Sequence, residues 1–136
     1  MAHGVSTSQQ APDPDLQVII SSGTDNVQQV VLGFSAALAA AQMGTNVTVV
    51  FTMLGAHWAS DSVGLDTPVP GFPSIAELKE MLIESAVTLE ACSTCVENYC
   101  LAPVGADGKR ILPSPITRVG LGLIASRMPT VNTVVF

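Results

Sequence analysis

The chain has 136 residues, 48% of them apolar and only 12% charged, with a net charge of −6. That length suits one compact domain with a real core and is short for two. Its basic residues, Lys79, Lys109, Arg110, Arg118 and Arg127, form no stripe that could neutralise phosphates, so nucleic acid is excluded as an expected partner. The charged share is about half that of an ordinary soluble domain, too little to cover a lone small sphere, and a homo-oligomer is expected.

Residues 1–15 are polar, carry Pro12 and Pro14, and show no hydrophobic period; they read as a disordered leader before a single domain at 16–136. They lack the basic-then-apolar order of a secretory signal. Three cysteines, an odd number, then point to reduced thiols and a cytoplasmic location rather than a disulfide framework. The apolar stretch from Val30 to Met43 is too short and too alanine-rich for a membrane span of roughly 20 residues, so no membrane association is expected.

Leu16 to Ile20 form a short apolar run ending in Ser21-Ser22-Gly23, the pattern of a buried strand entering a loop. Asp25 or Asn26 can cap the helix that follows through Val27, Val30, Val31, Phe34, Leu38 and Ala41, with Gly44 as its stop. Val47 to Leu54 is β-branched and apolar with almost no alternation, as a strand covered on both faces should be. From Gly55 to Pro73 the chain turns to Asp, Ser, Gly and Pro, a long connection of the kind kept for lids, binding or assembly.

Ser74 with Glu77 makes a capping-box pattern, and Ile75, Leu78, Met81 and Leu82 give a helical face before the strand that leads to Cys92. After Cys95 a short helix through Val96, Tyr99 and Cys100 ends before Pro103, and Asp107-Gly108 marks a turn. Ser114-Pro115 is positioned to open a last helix through Ile116, Val119, Leu123 and Met128, before a strand from Val131 to Phe136. This β-α-β-α-β rhythm predicts an α/β three-layer sandwich with a mostly parallel sheet of about five strands. Ligands in such folds sit outside the strands' carboxyl ends, which would put Cys92, His57 and Ser21 on one rim.

The Cys-Ser-Thr-Cys run at 92–95 stands where a buried strand hands over to a helix. Exposed backbone N–H groups and the helix dipole favour a thiolate there. A free cysteine is also one of the most buried residue types, so the bland reading of Cys92 is a small hydrophobe; its strand-end place and its partner favour the nucleophile. Cys95, one helical turn on, either resolves a mixed disulfide or persulfide on Cys92 or faces the core. Cys100 reads as core packing, and Thr94 as no more than a cap.

His57 and Trp58 follow the second strand. An imidazole there could move a proton or steady a thiolate, while Trp58 suits an interface anchor or a pocket wall. Glu90 and Glu97 flank the thiols and oppose thiolate formation. No set of four zinc ligands is on offer, since only His57, His3 and distant carboxylates accompany the cysteines, and no metal is expected. No glycine-rich phosphate loop follows the first strand, so no nucleotide or other cofactor is expected.

With these residues placed, the chain resembles the DsrE/DsrF/TusD-like sulfur-relay family over roughly Leu16 to Phe136. The likeness rests on the alanine-rich helix ending Ala41-Gln42-Met43-Gly44, the strand Val47-Thr48-Val49-Val50-Phe51-Thr52 followed by Gly55, Ala91-Cys92, and the closing Val134-Val135-Phe136. Cys92-Ser93-Thr94-Cys95 also resembles the Cys-x-Thr-Cys of YedF-like members. The resemblance implies a flavodoxin-like fold, a trimer or hexamer, and a persulfide sulfur accepted at Cys92 from a donor protein and passed to an acceptor protein. Cys95, Cys100 and the proline-rich loop depart from single-cysteine carriers. Beside the sulfurtransferase-like carrier stand two rivals: a thiol-disulfide redox protein or sensor using Cys92 and Cys95, and a non-catalytic, oligomeric ligand-binding subunit.

Overall fold

The computed structural model describes residues 12–61 and 64–136; most of the expected leader, residues 1–11, lies outside them. Asp15, the last residue of that leader, is instead anchored: its N–H donates to the Asn46 carbonyl at 2.8 Å and its carboxylate accepts the Asn46 N–H at 3.1 Å.

Strand β1 (Leu16–Ile20) leads through a short 3-10 turn into helix α1 (Val27–Gln42), and strand β2 (Val47–Phe51) follows. The Asn26 side chain accepts the Gln29 N–H at 3.2 Å as the N-cap, and Gly44 closes the helix at φ +96°. The predicted strand at 47–54 stops at Phe51, because residues Met53–Ala59 coil into a 3-10 segment. Gly55 in that segment passes so close to β1 that a Cβ would lie 1.9 Å from the Ile20 carbonyl oxygen, which only glycine allows.

Helix α2 (Ile75–Glu84) opens on the full reciprocal capping box of Ser74 and Glu77. Strand β3 (Thr88–Cys92) runs directly into helix α3 (Ser93–Tyr99). The expected last helix from Ser114-Pro115 is two elements instead: strand β4 (Thr117–Val119), paired with β3, and helix α4 (Leu121–Arg127). A three-residue edge strand with polar Thr117 and Arg118 is too short to show a period, and the Ser-Pro signal that suggests a helix start precedes it. Strand β5 (Asn132–Val135) completes the sheet.

The five strands are all parallel, in the order β4-β3-β2-β1-β5. The chain steps outward from β1 to β4 and then returns across the whole sheet to lay β5 on the free side of β1. A crossover of fixed hand that reverses its direction must change faces. Accordingly α1 and α2 pack with Val18, Ile20, Val47, Val49, Phe51 and Leu89 on one face, while α4 lies on the other, against Ile19 and Val50. The result is a three-layer α/β sandwich with unequal layers. One face carries helices of 16 and 10 residues, the other a helix of 7.

Trp58 is neither an interface anchor nor a pocket wall. It is fully buried in the thicker half of the core, and its indole N–H donates to the Ser22 carbonyl at 2.9 Å, tying the 3-10 segment to the end of β1. Among the described residues no helix is long and apolar enough to cross a membrane.

Candidate functional site

Cys92 is the last residue of β3 and the N-cap of α3. Because side chains alternate along a strand, Glu90 and Cys92 both face the thinly covered side, beside Val50 of β2 and beneath α4. One helical turn later Cys95 joins Cys92, and their side chains interact thiol to thiol. The pair sits in a small apolar cluster with Ile19, Val50, Ala56 and Ile124. Cys92 is 3% exposed and Cys95 7%, so the expected accessible sulfhydryl is covered in this conformation. Ile124, on the buried stripe of α4, belongs to the cover.

All three cysteines are free thiols. Burial pushes the Cys95 thiol up from its ordinary value, the backbone N–H of Met53 pulls it back, and the neighbouring Cys92 adds to the rise. Met53 holds a left-handed φ of +50°, uncommon for a side chain of its size. Cys100 lies 1% exposed within the main core, as expected for a packing residue.

Thr94 does not cap α3: Cys92 occupies the cap position, no side chain bonds there, and Thr94 is exposed on the second helical residue. His57 reaches a different place from the thiols. Its segment touches the cysteine cluster through Ala56, whereas His57 lines a cleft with Gly23, Thr24, Asp25, Leu54 and Tyr99 and meets the Trp58 ring edge-on, centroids 4.7 Å apart. Ser21, on the same end of the sheet, is held by Phe136, whose carbonyl accepts the Ser21 N–H at 2.8 Å and its hydroxyl at 3.1 Å.

Two charged networks that sequence reasoning missed surround the thiols. Arg118 of β4 reaches Glu97 at 2.5 Å and the Ser93 hydroxyl at 3.1 Å, and also donates to the Arg110 carbonyl. The Arg110 N–H donates to both Glu97 oxygens at 3.2 Å. Hydrogen bonding by Arg118 holds the Glu97 carboxyl below its usual range, so Glu97 stays ionised but its charge is answered rather than turned on the thiols.

The second network is buried. Arg127 of α4 donates to Glu90 at 2.7 and 3.1 Å and to the Gln17 side-chain oxygen at 3.1 Å, while Gln17 donates to the Ile124 carbonyl and the Thr133 hydroxyl, each at 3.3 Å. Glu90 therefore does not oppose a thiolate as a lone charge. It fastens the cover. One signal was present: Gln17, Thr48 and Glu90 interrupt three apolar strands at positions of the same parity, so the polar set lies on one face. Among the described residues no group of three His, Cys, Asp or Glu side chains could hold a metal ion.

A parallel, flavodoxin-like α/β sandwich with a pair of thiols at a strand's carboxyl end defines the class. The profile of the DsrE/DsrF-like family matches residues 15–133, and the chain belongs to that family. Its fold is similar to that in a structure titled "Crystal structure of ychN protein from E.coli", with a TM-score of 0.59 and 14% identity, covering 91% of this chain and all of that one. A search of curated proteins found no match.

Proposed function

We propose that the protein is a sulfur carrier, sulfurtransferase-like, in which Cys92 accepts a persulfide sulfur from a donor protein and yields it to an acceptor protein. Family membership supports the reading, and one observation carries it: a thiol on the terminal residue of β3 with a second thiol in contact. Attack of the Cys92 thiolate on the outer sulfur of a donor persulfide forms Cys92–S–SH and releases the donor thiolate. An acceptor thiolate then takes that outer sulfur. Alternatively Cys95 attacks the inner sulfur, closing a disulfide and expelling hydrosulfide.

Because both sulfurs are covered, turnover in this reading requires α4 to lift, whether by local opening or by displacement when a partner docks. The carrier works as a homo-oligomer, a trimer or hexamer, in the cytoplasm. Leu121, Leu123, Met128 and Val135, all exposed, line α4 and the β5 edge and supply an apolar face for a second copy.

Incubation with a low-molecular-weight persulfide followed by intact-mass measurement tests the chemistry. The mass should rise by about 32 Da, one sulfur atom. The gain should vanish in Cys92→Ser and persist in Cys100→Ser; absence of any adduct on the unaltered chain rejects the proposal.

The contact between the two thiols also favours a second reading, a thiol-disulfide couple. Equilibration against glutathione distinguishes it: a redox protein shows a two-electron transition within the cellular range, with no requirement for sulfane sulfur.

A further inference from the structure

A lysine stands in the buried stripe of α2. Ile75, Leu78 and Leu82 face the core at helical spacing, and Lys79 shares their face with only 9% of its side chain exposed. Among the described residues its ammonium meets the Ser60 carbonyl at 3.5 Å and an Asp61 carboxylate oxygen at 4.0 Å. Both contacts are long. A primary ammonium has three donors, and burying one so loosely answered is unfavourable. A methionine would fill the same stripe without that penalty.

Lys79 forms part of the wall of a cleft of about 170 Å³ between α2 and the segment 113–116. Leu65, Ile83, Pro115 and Ile116 give the cleft an apolar lining, while Asp61 and Glu80 bring two carboxylates to the same space. The volume is well below the roughly 300 Å³ at which drug-sized sites begin, so the occupant must be small. A simple anion would be repelled by Asp61 and Glu80. A simple cation could answer the second carboxylate but would leave the apolar lining of Leu65, Ile83, Pro115 and Ile116 unused. The Asp61 carboxylate is 89% exposed, free to turn from Lys79 toward an incoming group.

We propose that this cleft binds a small zwitterion with an apolar side chain, an α-amino acid of about leucine size, its carboxylate on the Lys79 ammonium and its own ammonium toward Asp61 and Glu80. The bound carboxylate gives Lys79 a direct partner, the ligand ammonium is shared by two carboxylates, and the apolar lining takes the side chain. Burial holds the Lys79 pKa below 10.5, with Asp61 opposing the shift, and a bound carboxylate would oppose it further. The site is separate from the thiol pair, and the proposal stands whether or not Cys92 carries sulfur.

Titration of L-leucine into the isotopically labelled full chain, followed by NMR, tests it. Saturable shifts are expected at Ile83 and Ile116 with a midpoint of roughly millimolar order, as suits so few ligand atoms. 4-Methylpentanoate, which lacks the ammonium, and isoamylamine, which lacks the carboxylate, should each bind about tenfold more weakly or worse, one charged hydrogen bond having been lost. Lys79→Met should abolish leucine binding. The proposal is overturned if leucine gives no saturable shift, if either analogue binds as tightly as leucine, or if Lys79→Met binds unchanged. The analogue series uses the unaltered chain and decides the matter even if the variant does not fold.

Discussion

Arg127 grips both carboxylate oxygens of Glu90, at 2.7 and 3.1 Å, and so pins the short helix α4 across the sheet two residues from Cys92. Removing one partner of a buried pair leaves an uncompensated charge. Glu90→Gln should therefore cost about 3–5 kcal/mol in urea unfolding, whereas replacing both, Glu90→Leu with Arg127→Met, should be near neutral. If α4 is the cover, the single variant also exposes the sulfurs: reaction of Cys92 with a disulfide reagent should speed up in Glu90→Gln beyond the change in global stability. Equal rates in both chains would remove α4 from that role.

The apolar face around α4 yields a prediction on assembly. Leu121 is 64% exposed and Val135 59%, on a chain with few charges to keep such surfaces apart. Light scattering should show an oligomer that Leu121→Glu or Val135→Lys dissociates, with little change in far-ultraviolet circular dichroism. A monomer in the unaltered protein would contradict it.

Cys95 makes a prediction about pH. Its thiol value is raised above 9.0, so at neutral pH it is protonated and the thiolate appears only in the alkaline range. Peptide-level alkylation of Cys95 by iodoacetamide should keep rising past pH 9. A plateau near neutrality would show that something other than burial governs this sulfur.

Glu97 gives the acid counterpart. A carboxyl held below its usual 4.5 contributes stability that is present above that value and lost as pH falls through the lower, native one. Since Glu97 also receives the Arg110 N–H, amide exchange at Arg110 should accelerate selectively below about pH 4.5. Glu97→Gln should bring the same loosening at neutral pH.

Strands β1, β2 and β3 were legible because a strand buried on both faces is written mostly in apolar residues without sustained alternation, and the caps at Asn26, Gly44 and Ser74 were legible because each answers a local need. The position of the thiols at a strand's end was likewise local. What stayed hidden depends on distant partners. Nothing in the sequence near Cys92 announces that Ile124 will cover it, or that Glu90 will be answered by Arg127, 37 positions away. The burial of Trp58 is likewise non-local, set by the end of β1 through Ser22. The turn at Ser114-Pro115 carried a helix-start signal, but the adjoining residues found a free edge on β3 and paired with it.

Strand β1 is hydrogen-bonded on one side to β2 and on the other to β5, with Leu16 opposite both Val47 and Asn132. The first pairing is available early in synthesis; the second must wait until Asn132–Val135 have emerged, and α4 arrives only just ahead of them. During that interval the nascent polypeptide holds Cys92 and Cys95 open to the surrounding medium. The newly made protein is thus more vulnerable to oxidants than the finished one, and the final docking of α4 and β5 is the event that shelters its sulfur.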